Sequence, residues 1–197
     1  FGLKVGPTTR RRFAARIATL VSGHPILEAV AGALLAARDG LLHSFTALDR
    51  QVRAASQADA RVRLLMTVPG GGGIVGLTYL SGVDDPGRFA SSRLVGAHFG
   101  LTPTKRQSGE SEVMGRISKV GDADVRSALY EAAHVVLTRP IEGGWLKSWA
   151  MKLARRAGMR KAKVALARRL AVIMHRMWTD GTPFNHAGPV RPAMATA

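Results

Sequence analysis

Apolar side chains recur at helical spacing through the stretch from Pro25 to Ser56. The members of this stripe are Ile26, Val30, Leu34, Ala37, Leu41, Phe45, Leu48 and Val52. Their mean step of about 3.7 residues is close to the period of an α-helix and to that of an eleven-residue repeat. The spacing predicts one long helix, which is either a core helix of a single domain or a coiled-coil arm that forms dimers.

Shorter helices are predicted along the rest of the chain, because glycine and proline turns divide it into brief apolar patterns. Asp59 and Asp122 are interpreted as helix N-caps. An aspartate of Asp84-Asp85 is expected to cap the helix that carries Phe89, with Pro86 at its first position.

No segment has a convincing strand pattern, and residues 101–121 are expected to form one long polar loop of the kind that carries function. The sequence therefore predicts an all-α fold, with a long coiled-coil-like helical arm followed by a compact helical domain that contains a helix-hairpin-helix-like motif. The predicted boundaries are 1–58 for the arm, 59–182 for the compact domain and 183–197 for a disordered tail.

The chain is strongly basic, with 29 Lys and Arg residues against 13 Asp and Glu residues and a formal charge of +16. Such an excess favours a polyanionic partner, and nucleic acid is the obvious one; the alternative is a basic surface without a partner. No cysteine is present, which excludes disulfides, thiolate metal sites and a cysteine nucleophile. No apolar run is long enough to span a bilayer. The first residue is Phe1 and no signal-peptide pattern follows, so the sequence is interpreted as the middle of a longer protein.

A glycine-rich turn lies between two apolar patterns, in the segment from Leu64 to Leu80. Such a turn can direct free backbone N–H groups at the start of the next helix toward a phosphate oxygen. The predicted phosphate contacts in this turn are Pro69, Gly70, Gly71, Gly72 and Gly73. An ordinary turn between helices would have the same composition.

Ser108 follows a pair of cations and precedes a glycine, in the order Lys105-Arg106-Gln107-Ser108-Gly109. An exposed hydroxyl beside cations and a flexible backbone suits a nucleophile that attacks a phosphodiester. Lys105, Arg106, Gly109, Arg116 and Lys119 are the candidate phosphate contacts of this segment. Without an adjacent histidine, the alternative is that Ser108 is a turn residue.

The acidic residues around this segment are not interpreted as a metal site. Glu110 and Glu112 are expected to balance nearby cations, and Asp122 to cap a helix. The histidines are scattered without ligand spacing. No metal or other cofactor is therefore expected in this chain.

The C-terminal third contains no acid between Glu142 and Asp180, and its cations are interleaved with Trp145, Trp149 and Trp178. The basic residues are Lys147, Lys152, Arg155, Arg156, Arg160, Lys161, Lys163, Arg168, Arg169 and Arg176. A helical pair of this composition would follow a phosphate backbone with strongly salt-dependent affinity. The tryptophans are interpreted as core residues rather than base-stacking platforms, and a membrane-surface helix is the alternative reading of the basic face.

Several of these segments, taken in order, resemble the C-terminal transposase domain of the insertion-sequence 110 family. They are Val68-Pro-Gly, Asp85-Pro-Gly-Arg-Phe-Ala-Ser-Ser-Arg-Leu, Gly100-Leu-Thr-Pro, Gln107-Ser-Gly, Gly115-Arg-Ile-Ser-Lys-Val-Gly-Asp and Val125-Arg-Ser-Ala-Leu-Tyr-Glu-Ala-Ala. The resemblance covers about residues 60–180. The stretch before it resembles the coiled-coil arm of that family.

The resemblance implies a bridge-RNA-guided DEDD transposase, also called a serine recombinase, in which a serine forms a covalent phosphoserine link with DNA. That serine maps onto Ser108, with Ser111 as the competitor. The family also has a RuvC-like N-terminal domain whose acidic tetrad binds Mg²⁺ and which this sequence lacks, so the fragment alone is expected to be inactive. DNA, a guide RNA and further copies of the chain, as a dimer or tetramer through the arm, are the implied partners. The implied location is the bacterial cytoplasm, at the nucleoid.

One local departure from the family pattern is the run Gly70-Gly-Gly-Gly73, where a Pro-Gly-x-Gly turn with an apolar residue is more usual. A looser hairpin with a weaker grip on phosphate is expected from it. Two other functions are consistent with the residues: a non-enzymatic helix-hairpin-helix DNA-binding module, and an RNA-binding scaffold that dimerises through the arm.

Overall fold

The computed structural model describes residues 1–108, 111–140 and 144–188, with the backbone alone for 105–108 and 111–114. Eight helices and one two-stranded sheet form the described part. The helices are α1 (Phe13–Val21), α2 (Pro25–Ala58), α3 (Ala60–Leu65), α4 (Gly73–Val83), α5 (Ser92–His98), α6 (Ala123–Thr138), α7 (Gly144–Ala157) and α8 (Met159–Asp180). The strands are β1 (Pro103–Ser108) and β2 (Ser111–Ile117). The predicted all-α class is confirmed, with this small sheet as its one exception within the described ranges.

The strand pair corrects the prediction of a polar loop at residues 101–121. β1 and β2 are antiparallel, with Pro103 opposite Ile117 and Ser108 opposite Ser111. The register shifts between Pro103 and Lys105, so the pairing is irregular there. The residues of β1 are polar, so the sequence does not show the alternation of apolar and polar side chains that would predict a strand. Backbone pairing, which leaves no trace in the sequence pattern, stabilises the segment instead.

The chain divides into two compact units, residues 1–51 and 52–197. In the first, the Arg38 guanidinium lies over the Phe13 ring at 5.3 Å and donates to the Arg10 carbonyl oxygen at 3.3 Å. The apolar stripe of α2 is exposed: Ile26 is 78 % accessible and Leu41 is 73 % accessible. The predicted long helix is thus present, and it continues to Ala58.

α8 lies at the centre of the second unit, where it packs against α3, α5, α6 and α7. Its core positions are Ala162, Leu166, Ala167, Leu170, Ala171, Met174 and Met177. The buried Tyr79 hydroxyl of α4 donates to the Ala171 carbonyl oxygen at 2.7 Å, and burial raises the pKa of Tyr79. The central helix is therefore fixed to α4 by a buried polar contact in addition to apolar packing.

His175 fixes α8 to the segment that precedes α5. Its Nε2 lies 3.1 Å from the Pro86 carbonyl oxygen and its Nδ1 lies 2.9 Å from Ser92 Oγ. When Nε2 donates to the carbonyl oxygen and Nδ1 accepts from the hydroxyl, both nitrogens of this buried ring have a hydrogen-bond partner. The Phe89 ring also packs edge-on against the His175 ring.

Two of the predicted caps are confirmed. The Asp59 carboxylate accepts from Arg61 N at 2.8 Å, and the Asp122 carboxylate accepts from Asp124 N at 2.7 Å. Arg61 also hydrogen-bonds the Asp59 carboxylate through its side chain, which lowers the pKa of Asp59 to about 2. This cap is therefore present above the ordinary aspartate pKa and lost as the pH falls through the lowered one.

The prediction that an aspartate of Asp84-Asp85 caps the helix carrying Phe89, with Pro86 at its first position, is confirmed for the cap and the proline but wrong for the extent of the helix. Asp85 caps only a single 3₁₀ turn, Pro86–Arg88, by accepting from Gly87 N at 2.8 Å. Phe89 is extended, and α5 begins later with Ser91 as its N-cap. The Ser91 side chain accepts a hydrogen bond from a backbone N–H at the start of α5. The chain therefore turns between the cap at Asp85 and the cap at Ser91.

No helix in the described ranges combines the length and the apolar character needed to cross a bilayer.

Candidate nucleic-acid interface

The predicted nucleophile and its competitor lie at the same end of the strand pair. Ser108 is the last residue of β1, Ser111 is the first residue of β2, and the two are register partners. Lys105 and Arg106 are in β1, three and two residues before this end, respectively. Gly109, the predicted flexible residue, lies outside the described residues, as does Glu110.

The other two predicted phosphate contacts of this segment lie farther from the serines. Arg116 is near the distal end of β2, and at about 3.3 Å per residue it lies roughly 16 Å along the strand from Ser111. Lys119 follows β2 and is exposed. Its backbone is in the left-handed region, with φ of 57°, and its N–H donates to the Gly100 carbonyl oxygen at 3.1 Å. The structure therefore separates Arg116 and Lys119 from Ser108.

A close backbone packing holds the base of the strand pair. Gly100 and Gly121 have φ of 64° and 80°. A Cβ on Gly121 would overlap the His98 carbonyl oxygen, and one on Gly100 would overlap the backbone of Val120. Only glycine allows both the left-handed conformation and this approach. The direction in which the pair leaves the helical domain is set here.

Arg126 of α6 adds a second connection to this base, and the sequence did not reveal it. Its Nη1 donates to the Phe99 carbonyl oxygen at 3.1 Å and lies within 3.5 Å of the carbonyl oxygens of Val120, Gly121 and Asp122. The end of α5, the exit from β2 and the start of α6 thus share one guanidinium. A position one residue after Val125 in an amphipathic helix gives no signal for such a role.

The glycine turn between α3 and α4 is only partly available to a ligand. Pro69 is buried, and a Cβ on Gly70 would lie 2.5 Å from the Ala132 carbonyl oxygen of α6. Gly71 packs on the backbone of Val68, and a Cβ on Gly73 would lie 2.6 Å from Ser56 Oγ. These glycines allow close packing of the helices. The loose turn expected from four glycines is therefore tightly packed in three of its positions.

Gly72 differs from the rest of the turn because it is exposed and has open space around it. It is the N-cap of α4, and within the described ranges no side-chain cap hydrogen bond is made there. These groups remain available to an anion. Of the predicted phosphate contacts in the turn, Gly72 and the start of α4 are the ones that the geometry leaves open.

The predicted basic surface lies on α7 and α8 and is largely exposed. Its exposed members are Lys152, Arg155, Arg156, Arg160, Lys161, Arg168 and Arg176. Lys147, Lys152 and Arg155 line one concave groove with Ser148 and Met151. Their spacing places them on one face of α7. This set, called the basic groove below, can bind the phosphates of a nucleic-acid backbone.

Three of the predicted surface cations also make contacts within the domain. The Lys147 ammonium donates to the Arg139 carbonyl oxygen at 2.6 Å, and the Lys163 ammonium lies 5.8 Å from the Tyr130 ring centre. The Arg169 guanidinium lies over the rings of Trp149 and Trp145 and is half-buried. Trp145, Trp149 and Trp178 pack against the core, as the sequence predicted.

Among residues 1–108, 111–140 and 144–188, no group of three or more His, Asp or Glu side chains could hold a metal ion. Asp122 is engaged as the cap of α6.

Replacing Gly121 by alanine tests the packing at the base of the strand pair. The change should lower the free energy of unfolding by about 2–4 kcal/mol, because the left-handed conformation and the overlap with His98 both oppose a Cβ. Gly158→Ala is the control: its φ is 85° but nothing lies near the added Cβ, so about 1 kcal/mol is expected. Urea denaturation measures both, and equal losses would contradict the packing account.

Comparison with known sequences shows which protein family these residues resemble. Residues 62–145 match the sequence model of the Transposase IS116/IS110/IS902 family. The match spans α3 to the start of α7 and includes the strand pair.

Individual relatives agree with this match. The chain is 32 % identical over 132 residues to the transposase for insertion sequence element IS1111A of Coxiella burnetii, covering 66 % of this chain and 36 % of that protein. It is 30 % identical over 180 residues to a probable family 20 transposase of Pseudomonas aeruginosa, covering 88 % of this chain and 53 % of that protein. The transposase for IS1328 of Yersinia enterocolitica is 30 % identical, with 70 % and 42 % covered.

The matched stretches thus span between about a third and about half of the length of these relatives. The family match over residues 62–145 lies within the stretch that carries the resemblance, and both include the strand pair. The matched residues form a C-terminal transposase domain of the IS116/IS110/IS902 family.

Proposed function

We propose that this chain is the catalytic-serine part of a DNA transposase that cuts and rejoins strands, with Ser108 as the nucleophile. The observation that carries the proposal is the place of Ser108 at the end of a strand pair within the family-matched residues. A two-stranded ribbon fits the major groove of duplex DNA, so the strand pair could bring its end close to the strand that is cut. Lys105 and Arg106 precede the serine on the same strand.

The reaction is a transesterification in which the number of phosphodiester bonds is unchanged. The serine oxygen attacks phosphorus and forms a new P–O bond, while one bridging P–O bond to the strand breaks. The serine proton passes to a base, and the released strand oxygen takes up a proton. Because the phosphoserine ester retains the bond energy of the diester, a strand hydroxyl can attack it in reverse and rejoin the DNA. Cations near the phosphate would neutralise the charge that develops.

The cations divide between two roles in this proposal. Lys105 and Arg106 are close enough along β1 to act at the attacked phosphate. Arg116 and Lys119, near the base of the pair, would contact the DNA backbone several nucleotides away. The exposed start of α4 at Gly72 and the basic groove would bind further phosphates.

The Mg²⁺ that the resemblance implies does not fit the described residues, which offer no cluster of ligands. We assign it to a RuvC-like domain of the complete protein, together with the recognition of a guide RNA. In such a site a bound Mg²⁺ neutralises phosphate charge and favours ionisation of a hydroxyl. The residues of this chain supply the serine and the phosphate contacts.

A homo-oligomer through the helical arm is part of the same proposal. Six large apolar side chains of α2 are exposed: Ile26, Val30, Leu34, Leu41, Phe45 and Leu48. Their helical spacing forms a continuous stripe, which a second copy could cover as in a coiled coil.

A second candidate function is a DNA-binding module without catalysis. The exposed, uncapped start of α4 favours it, because backbone N–H groups there can hold a phosphate without any nucleophile. In that case Ser108 would be a turn residue. An RNA-binding scaffold that dimerises through α2 is supported by the same apolar stripe and the same net charge.

The serine assignment is tested with the full-length protein, Mg²⁺, guide RNA and end-labelled target DNA. The wild type and Ser111→Ala should form a protein–DNA adduct that survives denaturation, and Ser108→Ala should form none. Ser111→Ala is the matched control because its residue is the register partner of Ser108. An adduct in Ser108→Ala would overturn the assignment. Adduct loss in Ser111→Ala alone would give the role to Ser111.

The basic groove is tested by the salt dependence of duplex binding. Lys152→Gln with Arg155→Gln should weaken binding and reduce the slope of log K against log salt by about 1.8, since each lost phosphate contact removes about 0.9. Arg93→Gln, an exposed cation outside α7 and α8, is the control and should change the slope little. An unchanged slope in the double variant would show that the groove does not contact DNA.

The apolar stripe is tested by sedimentation of the purified chain. Leu34→Lys with Leu41→Lys should convert an oligomer to a monomer, because two charges would be buried without partners. Ala36→Lys adds a charge at an exposed position on the other side of α2 and should leave the assembly intact. If the double variant sediments like the wild type, the stripe is not the interface.

A further inference from the structure

A second cleft lies on the side of α8 that faces the residues after it. Its volume is about 290 Å³. Ile173, Met177 and Phe184 supply apolar surface, and Arg169, Arg176 and Asn185 supply polar groups. None of the described residues that line it is acidic. The cleft is separate from the strand pair and shares no lining residue with the basic groove.

The wall of the cleft is fixed by residues that were predicted to belong to the disordered tail. Phe184 is buried, it stacks on Trp145 at 6.1 Å, and its N–H donates to Thr67 Oγ1 at 2.9 Å. The Trp145 indole N–H donates to the Asn185 carbonyl oxygen at 3.0 Å. The Asn185 amide donates to the Gly188 carbonyl oxygen at 2.7 Å. The part of the tail up to Gly188 is thus packed, while 189–197 lies outside the described residues.

Arg169 is unusual among the cations of this domain. Its guanidinium lies 4.3 Å from the Trp149 ring centre and 4.9 Å from that of Trp145. It is half-buried, and it makes no hydrogen bond or ion pair with any residue that the structure describes. Burial lowers the pKa of Arg169. A guanidinium has five N–H donors, and those of Arg169 are used by no residue that the structure describes, so they are open to an acceptor on a ligand.

Arg176 doubles the positive charge of the cleft. It lies seven residues after Arg169 on α8, which places both on the same face two turns apart. Arg176 is exposed and lines the same cleft. Two guanidiniums above an apolar floor fit a ligand with an anionic group joined to an apolar or planar one.

We propose that this cleft binds one nucleotide unit of a single-stranded nucleic acid, with the phosphate on Arg169 and Arg176 and the base on the apolar floor. The proposal rests on the proposed function only in taking nucleic acid as the partner. A bare anion would gain nothing from Ile173, Met177 and Phe184, and a paired base could not leave its stack to reach them. The volume is at the lower end of small-molecule sites, which suits one nucleotide rather than a larger ligand. The net charge of +16 favours a polyanion over an acidic peptide.

The test titrates the purified chain with eight-nucleotide oligodeoxythymidylate, eight-nucleotide oligouridylate and a duplex of equal length. Anisotropy of the labelled strand gives affinity, and intrinsic tryptophan fluorescence reports the cleft, since Trp145 lines it. Arg176→Gln should weaken single-strand binding about fivefold to tenfold and reduce the salt slope by about 0.7. Arg169→Gln should do the same and abolish the fluorescence change. Because Arg176 is exposed, its variant is expected to fold even where the loss of Arg169 packing disturbs the domain.

Arg160→Gln is the matched control, since it removes an exposed cation of α8 outside the cleft. It should leave the fluorescence change intact and weaken single-strand binding less than Arg176→Gln does. Equal losses in the two variants, no fluorescence change at saturation, or tighter binding of polyglutamate than of either oligonucleotide would each overturn the proposal. A preference between the two oligonucleotides identifies the strand as DNA or RNA. The cleft experiment measures binding and tryptophan fluorescence without any strand cleavage, so a failed adduct experiment and a failed cleft experiment are distinguishable.

Discussion

The backbone contact between the end of α5 and residues 119–121 is the constraint on which the proposed site depends. Gly100 and Gly121 approach backbone atoms so closely that no side chain fits at either position. Arg126 then joins the carbonyl oxygens at this junction to α6. A two-stranded sheet by itself is marginally stable in water. Its attachment to a packed helical domain is what gives Ser108 and Ser111 a defined place relative to the core.

The same two helices, α7 and α8, provide both the core and the surfaces proposed to bind nucleic acid. One side of α8 is buried against α5, α6 and α7, and Tyr79 and His175 add polar contacts to that packing. The remaining side is basic and partly aromatic. Because rigid helices hold these cations, the distances between the basic groove, the cleft at Arg169 and the base of the strand pair are set by the fold rather than by loops. Trp145 and Trp149 contribute to both sides, since they pack on the core and their rings lie against the Arg169 guanidinium.

Features that depend on neighbours in sequence could be predicted. The apolar spacing of α2 and the caps at Asp59 and Asp122 are local, and the structure has them. The strand pair could not be predicted, because its polar residues show no alternation and only backbone pairing defines it. Gly70 was interpreted as a phosphate contact, whereas its partner is Ala132, far away in sequence. Arg169 was grouped with the surface cations for the same reason: the two tryptophans that enclose it are brought there by tertiary packing.

The central claim is that a serine of β1 becomes joined to DNA, and mass spectrometry of the trapped complex tests it most directly. Trypsin should release the peptide from Gln107 to Arg116, which contains both candidate serines. After nuclease digestion of the full-length protein's complex, fragmentation should locate a nucleotide phosphate on Ser108. A nucleotide on Ser111 or on another residue, or cleaved DNA with no modified peptide, would contradict the account.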